Sequence, residues 1–469
     1  MNLAELTATA ALAAFERGEL TSRDYAAFLL DRCARHEDLG AFIHLDPDAV
    51  LDAATEADEI RATGQDVGPL HGLPVVLKDN LDTADMPTTA GTPGLRRNQP
   101  KKNAPLVQSL VDAGAVLFGK ANMHELAYGI TNNNEPFGPA RNPYARDRIP
   151  GASSGGTGVA IAARLAPAGI GTDTGGSVRI PAALCGIAGL RPTAGRYPQQ
   201  GIVPISHTRD TAGPMARTVA DLALLDGVIA GGPLEVSPVP LKGLRLGVPR
   251  GYYYENLDTT LAPVAEEALR RLKDAGVTLV EADIPNLQEL DEAASFPVAL
   301  YETVVDLEKY LRDHDIDLDF AGLVAQVGSP DVKGILSSLL GDGAVSEPVY
   351  RAAIEKHRPA LQAAYADYFK SNGVAAMIFP TTPLPAAPMG EDETTKLNGQ
   401  DVPTFFTFIR NTDPASNAGT PGLSLPVGLT KDGLPVGMEL DGPVGSDRDL
   451  LAIGAALEAV FPPMPAPKL

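Results

Sequence analysis

The pattern of hydrophobic and polar positions predicts that the chain begins with two helices. Apolar residues recur at helical spacing from Leu3 to Ala13, and Gly18 is placed to end this first helix. The stretch LTSRDYAAFLLDRC then predicts a second helix, whose N-cap is Thr21 or Ser22. A helical layer is therefore expected at the amino terminus.

The pattern changes after this layer, and short apolar runs alternate with helical stretches. Val75–Leu77 and Val116–Phe118 read as strands, and APLVQSLVDAG between them reads as a helix. This alternation is typical of parallel strands joined by crossovers. Further along, GVAAMIFPTTP predicts a buried strand, and LSLPVGLTKDGLPVGMEL predicts a hairpin that turns at Asp432 and Gly433. We therefore expect an α/β fold.

No linker or internal repeat divides the sequence, so we expect a single domain. Residues 150–215 are rich in small residues but too apolar for a linker. The predicted parts of the domain are a helical layer at 1–65, a core at 66–235, a variable helical region at 236–370 and a carboxy-terminal return to the core at 371–469.

Charge and cysteine content restrict the function classes. The net charge of −21 comes from 59 acidic and 38 basic residues, and such a surface repels nucleic acid and anionic lipid. Cys33 and Cys185 match no metal-ligand spacing and suggest a reducing compartment. The amino terminus lacks a signal-peptide pattern, and the most apolar stretch is short and contains Arg164. The sequence predicts a soluble cytoplasmic protein with no membrane or nucleic-acid partner.

Several common catalytic motifs match only in part. GASSG has the G-x-S-x-G pattern of a nucleophile elbow at Ser153, with His207 as the main later histidine. However, Pro143 and Pro150 disfavour the strand that this elbow requires. GIGTDTGG resembles a dinucleotide fingerprint, but a threonine stands at the third glycine position. His124 lacks a second ligand at metal-binding spacing, so no metal site is predicted.

A lysine and a glycine-flanked serine remain as candidates for catalysis. Lys78 ends the apolar run PVVLK, so a strand can carry it into the interior, where burial lowers a lysine pKa until it can act as a base. An ion-paired or snorkelling lysine, with Asp79 beside it, is the alternative interpretation. In GTDTGGSVRIP, Gly175 and Gly176 precede Ser177 and indicate tightly turned or closely approached backbone.

These residues lie within stretches that resemble the amidase signature family. The resemblance rests on GASSGGTGVAIAARLAPAGIGTDTGGSVRIPAALCGIAGLRPT, NMHELAYG, HTRDTAGPMARTVAD and GTPGLSLPVG, and it is weakest at 236–370. It implies a catalytic lysine at Lys78, a serine after a cis peptide bond at Ser153 and a nucleophilic serine at Ser177. It also implies the fold of that family, a central mixed β-sheet covered by helices on both faces. GASSGGT instead of GGSSGGS and ALCG instead of AFCG are small departures outside these three positions.

The resemblance further implies hydrolysis of an amide through a seryl acyl-enzyme, without a metal or organic cofactor. Ser177 would attack the carbonyl, and Ser153 would relay the proton to neutral Lys78. Arg179 and Asp173 are expected to hold the nucleophile loop. The oxyanion hole is expected to consist of backbone N–H groups, those of Thr174, Gly175, Gly176 and Ser177.

The family includes several substrate classes. The stretch GIVPISHTRDTAGPMARTVADLALLDGVIAG is most similar to the indoleacetamide and mandelamide hydrolase branch, so a small aryl or arylalkyl carboxamide is the expected substrate. Tyr128, Ile130 and Ser154 are the expected substrate contacts, and ordinary core packing of Tyr128 and Ile130 is the alternative. Two rival functions stay open: the glutaminase subunit of a tRNA-dependent amidotransferase, and an aryl acylamidase or carbamate hydrolase. A homodimer is a candidate assembly that the sequence does not decide.

Overall fold

The computed structural model describes the whole chain, Met1–Leu469, and one eleven-stranded β-sheet runs through its centre. Two further strands form a small separate hairpin. The strands are β1 (Phe42–His44), β2 (Pro74–Lys78), β3 (Val116–Ala121), β4 (Ala168–Asp173), β5 (Ala188–Arg191), β6 (Thr211–Ala216), β7 (Arg245–Val248), β8 (Thr278–Glu281), β9 (Ala376–Pro380), β10 (Thr394–Leu397), β11 (Gln400–Pro403), β12 (Gly422–Leu429) and β13 (Pro435–Asp441).

The large sheet is mixed, in the order β1-β3-β2-β4-β6-β5-β12-β13-β9-β7-β8. Strands β3, β2 and β4 are parallel to one another, as are β9, β7 and β8, and the pairs between these groups are antiparallel. Every residue of β2, β4, β5, β6, β9 and β13 is buried. Because successive side chains point to opposite faces of a sheet, complete burial means that both faces are covered.

Seventeen α-helices flank the sheet, and none of them is both long and apolar enough to cross a bilayer. They are α1 (Ala8–Glu16), α2 (Ser22–Arg35), α3 (Pro47–Ala62), α4 (Pro105–Asp112), α5 (Gly155–Ala162), α6 (Arg179–Cys185), α7 (Val219–Ala230), α8 (Arg250–Tyr253), α9 (Ala262–Asp274), α10 (Leu287–Asp313), α11 (Phe320–Gln326), α12 (Pro330–Ser338), α13 (Glu347–Ala352), α14 (Arg358–Asn372), α15 (Thr404–Ile409), α16 (Asp413–Ala418) and α17 (Asp447–Glu458).

The expected α/β architecture is confirmed, and so are several local elements. Thr21 caps α2 by accepting a hydrogen bond from the backbone N–H of Asp24. The helix α4 connects the parallel strands β2 and β3, as the alternating pattern predicts. The β12–β13 hairpin turns at Asp432 and Gly433, and Gly433 has a φ of +82°. These elements were predictable because their signals are local.

The region 236–370 is only partly helical, which corrects the sequence-based expectation. It contains β7 and β8, and β7 pairs in parallel with β9, so this region extends the main sheet. Both strands have four residues, and β8 is an edge strand with no buried residue. Strands of only four residues are too short to show the continuous apolar run by which buried strands are recognised.

Candidate active site

The catalytic candidates meet at the carboxyl ends of two neighbouring strands. In the β2–β4 pair, Leu77 lies opposite Ile170, so Lys78 at the end of β2 is brought beside the last residues of β4. The loop that contains Ser177 follows β4 directly. Ser153 stands just before α5, and the peptide bond between Ala152 and Ser153 is cis. Ligand sites of open α/β sheets commonly lie at this edge.

Lys78 and Ser153 are in direct contact. The Lys78 Nζ and the Ser153 Oγ are 2.7 Å apart, and both residues are fully buried. Lys78 also donates to the side-chain hydroxyl of Thr172 at 2.7 Å, and Asn80 donates to the same oxygen at 3.0 Å. No hydrogen bond joins the hydroxyls of Ser153 and Ser177, whereas the Ser177 carbonyl accepts one from the backbone N–H of Ser154 at 3.1 Å. The two serine segments are thus attached through their backbones.

The environment of Lys78 favours a neutral amine. Burial lowers its pKa to about 7, although the charges of Asp173 and Asp210 act in the opposite direction. The lysine forms no ion pair, and Asp79 beside it in sequence bonds with Thr89 and faces Lys120 instead. Lys78 is therefore buried and not ion-paired, as the first of the two interpretations expects. Near neutral pH the lone pair of the Lys78 amine is available for a proton.

The Gly175-Gly176 pair lets the backbone of the nucleophile loop lie against neighbouring elements. A Cβ at Gly175 would stand 2.6 Å from the Ile409 side chain, and one at Gly176 would stand 2.1 Å from the Thr412 hydroxyl. Gly176 also has a φ of +140°, a conformation that other residues rarely adopt. The Thr412 hydroxyl donates to the Gly175 carbonyl at 2.6 Å. Side chains at either position would therefore displace the loop.

Not all of the predicted oxyanion-hole amides are free. The backbone N–H of Gly176 donates to the Asp173 carboxylate at 2.9 Å, so in this structure Gly176 supplies no donor to a ligand. The backbone N–H groups of Thr174, Gly175 and Ser177 make no hydrogen bond within the protein. These three amides are the ones that a substrate oxygen could use.

A buried ion network fixes the base of the loop, as expected for Asp173 and Arg179. Arg179 donates to both oxygens of Asp173 at 3.0 Å and also pairs with Glu439, while Arg191 donates to Asp173 at 2.9 Å. Burial acts to raise the pKa of Asp173, but the two guanidinium groups outweigh it and hold that pKa well below its usual range. Asp173 is therefore a permanent anion that anchors the backbone around Ser177.

A cavity of about 350 Å³ opens beside Ser177. Most of its wall is apolar, and small-molecule sites usually have this character. The residues that line it are Ala127, Tyr128, Gly129, Ile130, Thr174, Gly175, Gly176, Ser177, Ile180, Ile205, Arg209, Ser295, Phe296, Ala299, Leu300, Ile335, Ser338, Phe405, Phe406, Ile409 and Asp413.

The other predicted site residues divide between cavity and core. Tyr128 and Ile130 both line the cavity. Ser154 does not, because it is fully buried and its hydroxyl donates to the Thr172 carbonyl at 3.1 Å and accepts from the Thr172 N–H at 3.2 Å. The structure thus gives Ser154 a backbone contact where the sequence predicted a substrate contact. His207 lies 3.0 Å from Asp306 and does not contact Ser153, which leaves no partner for a nucleophile elbow.

Sequence reasoning missed several residues of the site. Thr172 bonds directly with Lys78, and its position near the carboxyl end of β4, just before the nucleophile loop, could have indicated this. The cavity wall formed by α10, α12 and α15 carried no usable signal, because these helices are distant in sequence from Ser177. The only charged lining residues, Arg209 and Asp413, are paired with each other. The cavity therefore has no unpaired charge on its wall.

Comparisons with known proteins agree with this geometry. A sequence profile of the family described as Amidase matches residues 24–451. Indoleacetamide hydrolase of Agrobacterium vitis is 48% identical over 444 residues, which cover 94% of each chain, and mandelamide hydrolase of Pseudomonas putida is 40% identical over 99% of this chain and 93% of its own. The X-ray structure of native peptide amidase from Stenotrophomonas maltophilia matches with a TM-score of 0.84 at 32% identity, over 100% of this chain and 99% of that one.

The protein belongs to the amidase family. Within that class it is an amide hydrolase with a large central mixed sheet flanked by helices.

Proposed function

We propose that this protein hydrolyses the C–N bond of small, uncharged aryl or arylalkyl carboxamides through an acyl-enzyme on Ser177. The observation that carries the proposal is the buried Lys78–Ser153 pair beside an apolar cavity that Ser177 lines. The amine is poised to accept a proton near neutral pH, because burial lowers its pKa to about 7.

In the first half of the reaction, Ser177 Oγ forms a bond to the amide carbonyl carbon. Its proton passes to Ser153 Oγ as the Ser153 proton passes to the lone pair of Lys78 Nζ. The free amides of the loop stabilise the negative oxygen, and each such donor contributes about 2.7–4 kcal/mol to transition-state stabilisation. The relay then returns a proton to the leaving nitrogen, so the C–N bond breaks and the amine or ammonia departs.

In the second half, water takes the place of the leaving amine. Lys78 and Ser153 accept the proton of the water as its oxygen bonds to the acyl carbon. The tetrahedral intermediate collapses, the C–O bond to Ser177 breaks, and the carboxylic acid leaves and loses its proton to solvent. Ser177 regains a proton from Ser153 as Lys78 returns one to Ser153, which restores the starting state.

The cavity supports an uncharged aryl group as the acyl part of the substrate. Glutamine would bring a charged ammonium and carboxylate into the site, and the only charged lining residues, Arg209 and Asp413, already neutralise each other. The similarity to an indoleacetamide hydrolase and a mandelamide hydrolase favours the same substrate class. We therefore place the amidotransferase and carbamate alternatives behind an aryl amidase.

The first test is an activity panel on the purified chain with no partner protein. The panel contains indole-3-acetamide, benzamide, an anilide, a carbamate and glutamine. We expect hydrolysis of the aryl or arylalkyl carboxamides and very little turnover of glutamine. Glutaminase activity that arises only with a partner subunit would instead support the amidotransferase.

The second test assigns the nucleophile. A fluorophosphonate probe should label the wild-type protein on Ser177, as located by mass spectrometry, and Ser177→Ala should abolish both labelling and turnover. Ser371→Ala, at an exposed serine near the end of α14, is the matched control and should leave both unchanged. An adduct on Ser153 or Cys185 in the wild-type protein would overturn the assignment.

A further inference from the structure

Three phenylalanines gather on the cavity wall. Phe296 comes from α10, and Phe405 and Phe406 come from α15. The ring centroids of Phe296 and Phe406 are 5.3 Å apart at 65°, those of Phe405 and Phe406 are 5.6 Å apart at 90°, and those of Phe296 and Phe405 are 6.2 Å apart at 60°. The first two contacts are edge-to-face, an arrangement that aromatic side chains prefer.

The placement of these rings follows from how α15 is attached. Thr404 and Phe408 are fully buried, and the Thr404 hydroxyl donates to the Glu391 carbonyl at 2.8 Å. Phe405, Phe406 and Ile409 are directed to the cavity. Phe406 is 57% exposed, although Phe408 two residues later is 0% exposed. A short helix with one anchored side therefore presents an uncovered aromatic ring next to the cavity.

An exposed aromatic ring that borders an apolar cavity is available to contact a ligand. The ligand that suits it is uncharged and aromatic, because the cavity wall has no unpaired charge and aromatic rings pack favourably against one another. We propose that Phe296, Phe405 and Phe406 form an aromatic clamp that binds the aryl group of the substrate and gives the enzyme its preference for aryl over aliphatic amides. This inference rests on the proposed function, because it places the aryl end of the amide that Ser177 attacks.

The test compares substrates with and without a ring. Phe406→Leu keeps an apolar side chain and removes the aromatic face, and Phe406→Ala removes most of the side chain. For each protein, kcat/KM is measured with phenylacetamide and with propionamide. We expect the ratio of the two values to fall about tenfold in Phe406→Ala and less in Phe406→Leu, which is the scale of one aromatic contact.

Val444→Ala is the matched control. Val444 is 65% exposed and does not line the cavity, so its truncation also removes an exposed apolar side chain. We expect the control to keep the wild-type ratio, and thermal unfolding should show that all variants are folded. An unchanged ratio in Phe406→Ala, or an equal loss for both amides, would overturn the clamp.

A binding measurement separates the clamp from the chemistry. The chain contains no tryptophan, so the fluorescence of an indole ligand can be excited selectively at the long-wavelength edge of its absorption, where the 12 tyrosines absorb little. Indole-3-acetamide is titrated into Ser177→Ala with and without Phe406→Ala, and we expect the second change to weaken binding about tenfold.

The outcomes distinguish the clamp from the proposed function. If the wild-type protein hydrolyses no aryl amide, the proposed function fails. If hydrolysis occurs but either the ratio or the indole affinity does not depend on Phe406, only the clamp fails.

Discussion

At the scale of single residues, the site depends on a lysine buried without a counter-ion. Lys78 is fully buried, and its hydrogen bonds go to uncharged oxygens of Ser153 and Thr172. An ammonium in this position would lose its hydration without gaining a carboxylate in exchange. Since the pKa of Lys78 is lowered to about 7, the neutral amine predominates above neutral pH.

The lowered pKa of Lys78 predicts the pH dependence of activity. In the proposed mechanism the neutral amine is the base, so kcat/KM should rise with pH, with a midpoint at about 7, and then level off. Lys78→Arg should be nearly inactive throughout, since a guanidinium does not give up its proton in this range. The measurement is kcat/KM from pH 5 to pH 9 for both proteins. A Lys78→Arg variant with near-normal turnover would show that the relay is wrong.

The same lysine predicts a pH dependence of stability. The folded-state pKa of about 7 lies below the normal value of 10.5, so between these limits the unfolded chain binds the proton and the folded chain does not. The contribution of Lys78 to the free energy of unfolding therefore rises with pH across this window. The stability of Lys78→Met relative to wild type should fall from pH 7 to pH 10, by on the order of a few kcal/mol. Urea unfolding at several pH values tests this, and a constant difference would contradict the buried neutral amine.

At the scale of elements, the nucleophile loop is shaped by contacts with α15 and the start of α16. Gly175 faces Ile409, the last residue of α15, and Gly176 faces Thr412, the residue before α16. The loop is also bound at its base by Asp173 at the end of β4. Three separate elements thus hold the backbone amides in place before any substrate arrives, as catalysis by preorganised donors requires.

This arrangement predicts a large effect for Gly176→Ala. The new Cβ would overlap the Thr412 hydroxyl, and the φ of +140° would add strain of about 1–3 kcal/mol. We expect kcat to fall by at least a hundredfold, with a lower melting temperature. Gly433→Ala is the control, because Gly433 has a φ of +82° but no atom within 4 Å of the added Cβ. Similar activity losses in both variants would mean that backbone strain, not the loop contact, decides the outcome.

How much the sequence predicted also depends on the element. The helices near Thr21 and the hairpin at Gly433 were predictable because caps and turns are local signals. Lys78 and Ser177 were recognisable through their motifs. The strand β7 and the clamp residue Phe406 were not, since each gains its role only from partners far along the chain. The engaged N–H of Gly176 was also beyond sequence reasoning, because it depends on where the Asp173 carboxylate points.

At the scale of the whole molecule, strands from both halves of the chain join in one sheet. The strands β1 to β6 lie on one side and β7, β8, β9, β12 and β13 on the other, and the two sets meet where β5 pairs with β12. The large core cluster likewise contains residues from the amino-terminal helices and from α17. Neither half of the chain therefore contains the complete sheet.

The β5–β12 junction predicts the behaviour of the two halves as fragments. Residues 1–235 alone would leave the β5 edge unpaired where β12 belongs, and an exposed apolar edge promotes aggregation. We expect this fragment to be insoluble alone and to regain amidase activity when it is co-expressed with residues 236–469. The measurement is soluble yield and turnover of a carboxamide. A monomeric, cooperatively unfolding 1–235 fragment would contradict a single folding unit.

The division of the cavity wall between distant stretches has a consequence for how this enzyme can change. The proposed catalytic residues, Lys78, Ser153 and Ser177, all come from the stretch 78–177 of the sequence. The aromatic clamp comes from Phe296 and the segment around Phe406. Mutations in the second group can alter which amide is accepted while the first group stays intact. Selection can therefore change substrate preference and catalysis separately, so this scaffold can reach new substrates through substitutions in α10 and α15 without passing through an inactive ancestor.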